Sequence, residues 1–169
     1  TAGFNSFSAA DMTGLTKLLT IVLMFIGAAP GSTGGGVKVT TVYVLFATVG
    51  SALTGKTDTV IRRRRVDKSV VYKSLAIVTV AIAAVVVCTA TIVFTSDMTG
   101  LSEIDAMFES VSAFATVGVS VGVTESASVL SRFALILAMF LGRVGPMSLA
   151  LSMTMRPLQK STVMPEAKI

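Results

Sequence analysis

Between Val70 and Thr95 the chain runs through an apolar stretch whose only charge is Lys73, near its start. As an α-helix it is about 39 Å long, enough to cross a hydrocarbon core of about 30 Å with some tilt. Many of its residues are β-branched, yet a lone strand of this length would leave its backbone polar groups unpaired in lipid. A spanning helix is therefore predicted. Composition points the same way: hydrophobic residues make up 53% of 169, charged residues 14%, and the mean hydropathy is +0.83. This is a membrane-class composition and excludes most soluble readings.

A second apolar stretch, Thr16 to Leu53, is interrupted only by Lys17, Lys38 and the run Pro30-Gly31-Ser32-Thr33-Gly34-Gly35-Gly36. As one helix it would be about 57 Å long, nearly twice what a bilayer needs. Proline and four glycines cannot hold a regular helix, so the run at 30 to 36 is predicted to break it. Freed backbone groups are costly in lipid unless they face protein or a water-filled cavity, so the break is expected to line a conduction path. The alternative is a loop at the membrane surface between two short spans. Gly36-Val37-Lys38 does not have the spacing of a phosphate-binding loop, which argues against nucleotide binding by this chain.

The last span is predicted over Val129 to Met155. Arg143 falls near its middle, where a charge is expensive and marks function or an internal partner. The glycine run lies near the middle of its own stretch, so the two should meet at similar depth. A guanidinium offers five donors, and an unwound segment offers carbonyls that have lost their helical partners. Pairing them satisfies both. Gly142, Gly145 and Pro146 flank the arginine and allow close packing or a kink.

A shorter periodic segment, Glu103 to Ala115, places Ile104, Met107, Phe108, Val111 and Phe114 at helical spacing, with Ser102 and Asp105 forming a capping box. At roughly 20 Å it is too short to span and is expected to be re-entrant. It runs into Thr116-Val117-Gly118-Val119-Ser120, an uncharged β-branched segment around one glycine. Such a segment can be extended with its carbonyls turned to one side, as a ring of carbonyls replaces the water around a dehydrated cation. The helix before it aims its partial negative charge at the same place. The chain opens with Thr1-Ala2-Gly3-Phe4-Asn5, and Thr-x-Gly-x-Asn/Ser recurs at Thr116 to Ser120. A polar linker and a long apolar helix follow each copy, so an internal repeat is expected.

Charge is unevenly placed. The formal net charge is +5, but Lys56, Arg62, Arg63, Arg64, Arg65, Lys68 and Lys73 lie in one connection, and Arg156, Lys160 and Lys168 follow the last span. Both clusters read as cytoplasmic, and the connection carrying Asp97, Glu103, Asp105 and Glu109 as external. Glu125, also outside, is expected to be solvated. The arginine run fixes topology and touches anionic lipid, or docks a cytoplasmic partner. Nothing in this distribution makes a nucleic-acid face. There is no histidine and one cysteine, Cys88, in an apolar run, so neither a disulfide nor a Cys/His metal site can be built. No nucleophile with a base and no paired acids in a span are visible, which argues against an enzyme.

Taken together, the one-glycine pore loops TAGFN and FESVSAFATVGVS, the GSTGGGVK break and the arginine in GRVGP resemble the membrane subunit of the Ktr/Trk/HKT superfamily of potassium transporters. The resemblance covers essentially the whole chain. It implies an all-α membrane protein built from helix, re-entrant pore loop, helix repeats arranged as a pseudo-fourfold pore. This chain would hold the end of the third repeat (residues 1–53), a basic cytoplasmic linker (54–69), the fourth repeat (70–156) and a cytoplasmic tail (157–169). Filter residues would be Thr1, Ala2, Gly3 and Phe4, and Thr116, Val117, Gly118 and Val119. Ser32, Thr33, Gly34, Gly35 and Gly36 would form a gating loop contacted by Arg143. The resemblance further implies a multi-pass protein of the cell membrane, a homodimer, remaining repeats N-terminal to Thr1 and a cytoplasmic nucleotide-binding regulatory subunit. Potassium would be the transported ion, and no cofactor is expected in this chain. Two other classes stay open: an ion-coupled secondary transporter, which also uses broken helices, and a non-conducting membrane scaffold whose glycines serve helix packing.

Overall fold

The computed structural model describes residues 2–55, 59–61, 64–96, 100 and 102–144. It is helical apart from one small hairpin, as an all-α membrane protein should be. A single 3-10 turn, Ala9–Asp11, precedes α1 (Gly14–Phe25) and α2 (Val39–Leu53). After them come α3 (Lys68–Thr95), α4 (Glu103–Phe114), the short α5 (Val123–Ser126) and α6 (Val129–Val144). Gly145, Pro146 and everything after them, including Arg156, Lys160, Lys168 and the tail, lie outside the described residues, as do Lys56, Arg62 and Arg63 of the basic linker.

Among the described residues α3 is the one helix long and apolar enough to cross a membrane. Asp67 caps its start, accepting the Ser69 N–H at 2.7 Å. Bonds from the Ser69 backbone and hydroxyl hold the Asp67 carboxyl below the usual carboxylate range. Only one stripe of α3 is buried, Ser74, Ile77, Ala81, Val85, Cys88 and Ile92, at the three- and four-residue spacing of a single helix face. Val80, Ile82, Val86 and Val87, off that stripe, are exposed. That is the distribution expected of a helix whose outer face meets lipid.

The linker is not featureless. β1 (Val60–Ile61) and β2 (Arg64–Arg65) pair antiparallel, with Val60 opposite Arg65. Thr59, buried at the hairpin's base, accepts the Val66 N–H on its carbonyl and reaches the Thr48 hydroxyl of α2 at 3.2 Å. The hairpin is thereby held against the end of α2.

The short helix α4 is the hub, packing against α1, α3 and α6. The expected capping box is present, with Asp105 accepting the Ser102 N–H at 3.0 Å. Most of α4 is buried, Phe108, Val111 and Phe114 fully. Three contacts tie it to its surroundings. Phe114 stacks on Phe25 of α1 with ring centroids 6.4 Å apart. Lys17 of α1 pairs with Asp105 at 2.6 Å, both side chains about nine-tenths buried. Gly142 of α6 lies so close that a Cβ there would stand 1.6 Å from the Phe114 carbonyl oxygen. At the other end of α6, Thr95 and Ser96 close α3 onto it through the buried Ser131 hydroxyl at 2.7 and 2.8 Å.

Two acids of the connection read as external, Asp105 and Glu109, are buried. Their partners are distant in sequence, so the local pattern of charge without bases does not reveal them.

Two outcomes follow from this packing. Replacing Gly142 by alanine should push α6 off α4 and cost about 1–3 kcal/mol, read as a lowered unfolding midpoint in detergent. Replacing Lys17 by methionine should leave Asp105 buried without its cation and cost about 3–5 kcal/mol, measured the same way, with the Lys17→Arg variant retaining most of the stability.

Candidate functional site: two glycine loops and a broken helix

The site forms where α4 ends. The Val117 N–H bonds to the Ser112 carbonyl at 2.9 Å and the Thr116 N–H to the Ala113 carbonyl at 3.0 Å. This is a Schellman ending, which calls for a left-handed residue at the position of Thr116. Glycine is the usual occupant. Here it is a β-branched threonine at φ +53°, a conformation of the kind that persists where the surroundings impose it. What the threonine supplies is its hydroxyl: Thr116 Oγ1 accepts the Gly35 N–H at 2.9 Å.

Beyond Thr116 the chain follows no regular secondary structure as far as Val121, with Gly118 at φ +87°. Among the described residues, no atom beyond its own chain neighbours lies within 4 Å of where a Cβ on Gly118 would sit. The Val119 carbonyl accepts the Ser112 hydroxyl at 2.6 Å. Immediately after it, Glu109 of α4 accepts from the Ser120 hydroxyl at 2.8 Å, the Val121 N–H at 3.1 Å and the Thr124 hydroxyl. Glu125 is exposed.

The first glycine loop meets the second. Gly3 (φ +67°) stands with its missing Cβ 1.9 Å from the Val117 carbonyl oxygen and 3.7 Å from the Gly118 Cα. Any larger residue would force the two loops apart. Ala2 and Phe4 are exposed, and Thr1 lies outside the described residues.

The broken helix supplies the third part. Its interruption is wider than the Pro/Gly run, extending from Ile26 to Lys38. The reason is Gly27, where a Cβ would meet the Gly35 carbonyl oxygen at 2.2 Å. The break is a loop with a closed neck. Gly27 N–H bonds to the Val37 carbonyl at 2.7 Å and Val37 N–H to the Phe25 carbonyl at 3.3 Å, which satisfies groups that the helix has lost. Gly35 and Gly36 are buried, Gly36 against Ala115, while Pro30 to Thr33 are exposed at the tip.

Two cations hold this tip by its carbonyls. Arg143 donates to the Thr33 carbonyl, and Lys38 to the Gly34 carbonyl at 2.5 Å. Ser32 folds back locally, its hydroxyl donating to the Ala29 carbonyl at 2.7 Å. The predicted meeting of Arg143 with the glycine run therefore occurs, through a carbonyl as expected. Lys38 is not singled out by the sequence. Nor are Glu109, whose donors lie eleven to fifteen residues downstream, and the Thr116 side chain, whose partner is in the other half of the chain. Among the described residues no group of acidic, cysteine or histidine side chains could hold a metal ion. What the arrangement offers a cation is carbonyl oxygen, at the negative end of the α4 dipole.

Residues 1–163 match the TrkH family of cation transport proteins. The chain is 42% identical over 151 residues to the Ktr system potassium uptake protein B of Vibrio alginolyticus, covering 89% of this chain and 32% of that protein. It is 36% identical over 152 residues to the protein of the same name from Bacillus subtilis, covering 90% of this chain and 34% of the relative. Identity to the potassium/sodium uptake protein NtpJ of Enterococcus hirae is 32% over 157 residues, covering 92% of this chain and 35% of the relative. The chain thus spans about a third of the length of the curated relatives it matches. With its glycine loops, its broken helix and the arginine in the last turn of α6, it belongs to the TrkH family of cation transport proteins.

Proposed function

We propose that this chain forms the end of the third and all of the fourth of four helix, pore loop, helix repeats, and that these enclose a potassium-conducting pore. The observation that carries the proposal is the abutment of the two loops. Gly3 and Gly118, far apart in sequence, are brought to neighbouring positions in which the Gly3 backbone touches the Val117 carbonyl. Paired loops of this kind suit a filter made of carbonyls from several repeats. A rocking carrier has no need of them, and a scaffold has no need of the open space beside Gly118.

In this reading Thr1, Ala2, Gly3 and Phe4 and Thr116, Val117, Gly118 and Val119 belong to the filter. Residues Ser32 to Gly36 form a gate under it. The gate is attached at two points: to the filter through Gly35 and Thr116, and to the last helix through Thr33 and Arg143. A guanidinium below the filter opposes an approaching cation and, by holding the loop's carbonyl, keeps the loop in the path. No chemistry is performed on the ion. Potassium is favoured over sodium as the transported ion by the names of two relatives, and the third is named for both. The remaining repeats of the same polypeptide complete the pore, the protein is multi-pass in the cell membrane with residues 54–69 and the C-terminus cytoplasmic, and a homodimer binds a cytoplasmic nucleotide-binding regulatory subunit.

The test is rubidium and sodium uptake into proteoliposomes by the full-length polypeptide that contains this chain. Gly118→Ser should lose rubidium preference by about tenfold, equivalent to about 1.4 kcal/mol of relative ion binding, while assembly is unchanged. An unaltered preference would remove this segment from the filter and favour the scaffold or coupled-carrier class. Arg143→Gln should release the loop, a charged hydrogen bond of about 1.5–3 kcal/mol being lost. The expected result is faster rubidium uptake at unchanged rubidium-to-sodium preference.

A further inference from the structure

We propose that Glu109 is a positioning residue for ion selection: a buried carboxylate that braces the chain leaving the filter against α4 and so sets ion preference without contacting an ion. The proposal rests on the pore reading above. Glu109 is 5% exposed and lies mid-way along α4. Burying a carboxylate is costly unless donors surround it. Here the donors come from one stretch, residues 120 to 124, directly after the filter segment: the Ser120 hydroxyl at 2.8 Å, the Val121 N–H at 3.1 Å and the Thr124 hydroxyl.

The brace has a second strut. Ser112 stands one turn further along the same face of α4 and donates to the Val119 carbonyl at 2.6 Å. Ser120 in turn accepts the Gly122 N–H at 3.1 Å, which fixes the turn at Gly122 (φ +97°). Residues 119, 120, 121, 122 and 124 are therefore all referred, directly or through Ser120, to two side chains of one helix. The upstream end of the filter segment is fixed to α4 by its Schellman bonds. Between these anchors Gly118 makes no comparable contact, so the position of its carbonyl depends on where the anchors hold the chain. Glu109, Ser112, Thr116 and Gly118 also line one cavity of about 480 Å³.

Uptake of rubidium and sodium by the full-length polypeptide in proteoliposomes, with half-saturation and maximal rates for each ion, tests this. Glu109→Ala frees all three donors and should shift the rubidium-to-sodium ratio of half-saturation constants toward sodium by about tenfold. Glu109→Gln keeps an oxygen for the Val121 N–H and offers its amide to hydroxyls that can rotate, so the ratio should stay within about threefold of wild type. Unchanged preference in Glu109→Ala overturns the proposal. An equal loss in both variants also overturns it, since charge rather than bracing would then set preference. If Glu109→Ala does not assemble, the double variant Ser120→Ala, Thr124→Val removes two donors from the partners' side and should shift the ratio by about threefold. No shift there overturns the brace. Gly118→Ser, measured in parallel, separates the two failures: if it too keeps wild-type preference, the filter reading has failed; if it alone loses preference, only the brace has.

Discussion

Everything in this structure depends on backbone meeting backbone around the C-terminal end of α4. Gly142 admits α6 to the Phe114 carbonyl, Gly3 admits the first loop to the Val117 carbonyl, and Gly27 admits the neck of the broken helix to the Gly35 carbonyl. At each of these points a single methyl group would lie within about van der Waals overlap of an oxygen, and small residues are what allow segments in a membrane to approach this closely. The driving force is the same throughout. Main-chain groups released from helices have no water to turn to, so they must find one another. The loop neck at Gly27 and Val37 and the Schellman ending of α4 are two solutions of that one problem.

The electrostatics follow from the same ends. A helix that stops inside the protein leaves its partial negative charge there, and the loops add carbonyls. Cations are placed to meet the loop of the broken helix, Lys38 from within its own stretch and Arg143 from α6. Arg143 donates to a carbonyl of the exposed tip and Lys38 to the half-buried Gly34 beside it, not to the glycine loops at Gly3 and Gly118. Lys17, the cation nearest the start of α4, is consumed by Asp105 in the capping box. Lys17 and Lys38 are thus engaged away from the carbonyl-rich end of α4, while Arg143, tied to the loop, lines the same cavity as Thr116 and Gly118.

What the sequence made legible was local. The length of α3, the half-length of α4, its Ser102/Asp105 cap, the Pro/Gly interruption and the repeated Thr-x-Gly-x-Asn/Ser pattern each declare themselves within a few residues, because length, periodicity and φ requirements act locally. The pairing of Arg143 with the break was legible for another reason: a mid-span charge and a set of unpaired carbonyls at similar depth have few alternatives. Long-range partners were not legible. Asp105 and Glu109 read as acids of an external connection that carries no base, and only the fold brings Lys17 to one and residues 120 to 124 back to the other. The outer limits of the break were missed because Gly27 reads as an ordinary residue of an apolar run until Gly35 is packed on it. Nor did the basic linker suggest a hairpin, since strands of two residues carry no periodicity to detect.

Thr116 joins these levels. A threonine at φ +53° is disfavoured by roughly 1–2 kcal/mol relative to a right-handed conformation, and glycine would serve the Schellman ending without that cost. The threonine hydroxyl offsets the strain by accepting the Gly35 N–H, a group of the broken helix with no helical partner. The compensation is available only while the loop is packed under the end of α4. In a pore of the kind proposed, a loop that withdrew would leave Thr116 strained and its hydroxyl without that donor. Filter geometry and loop position then cannot vary independently, because the same side chain belongs to both.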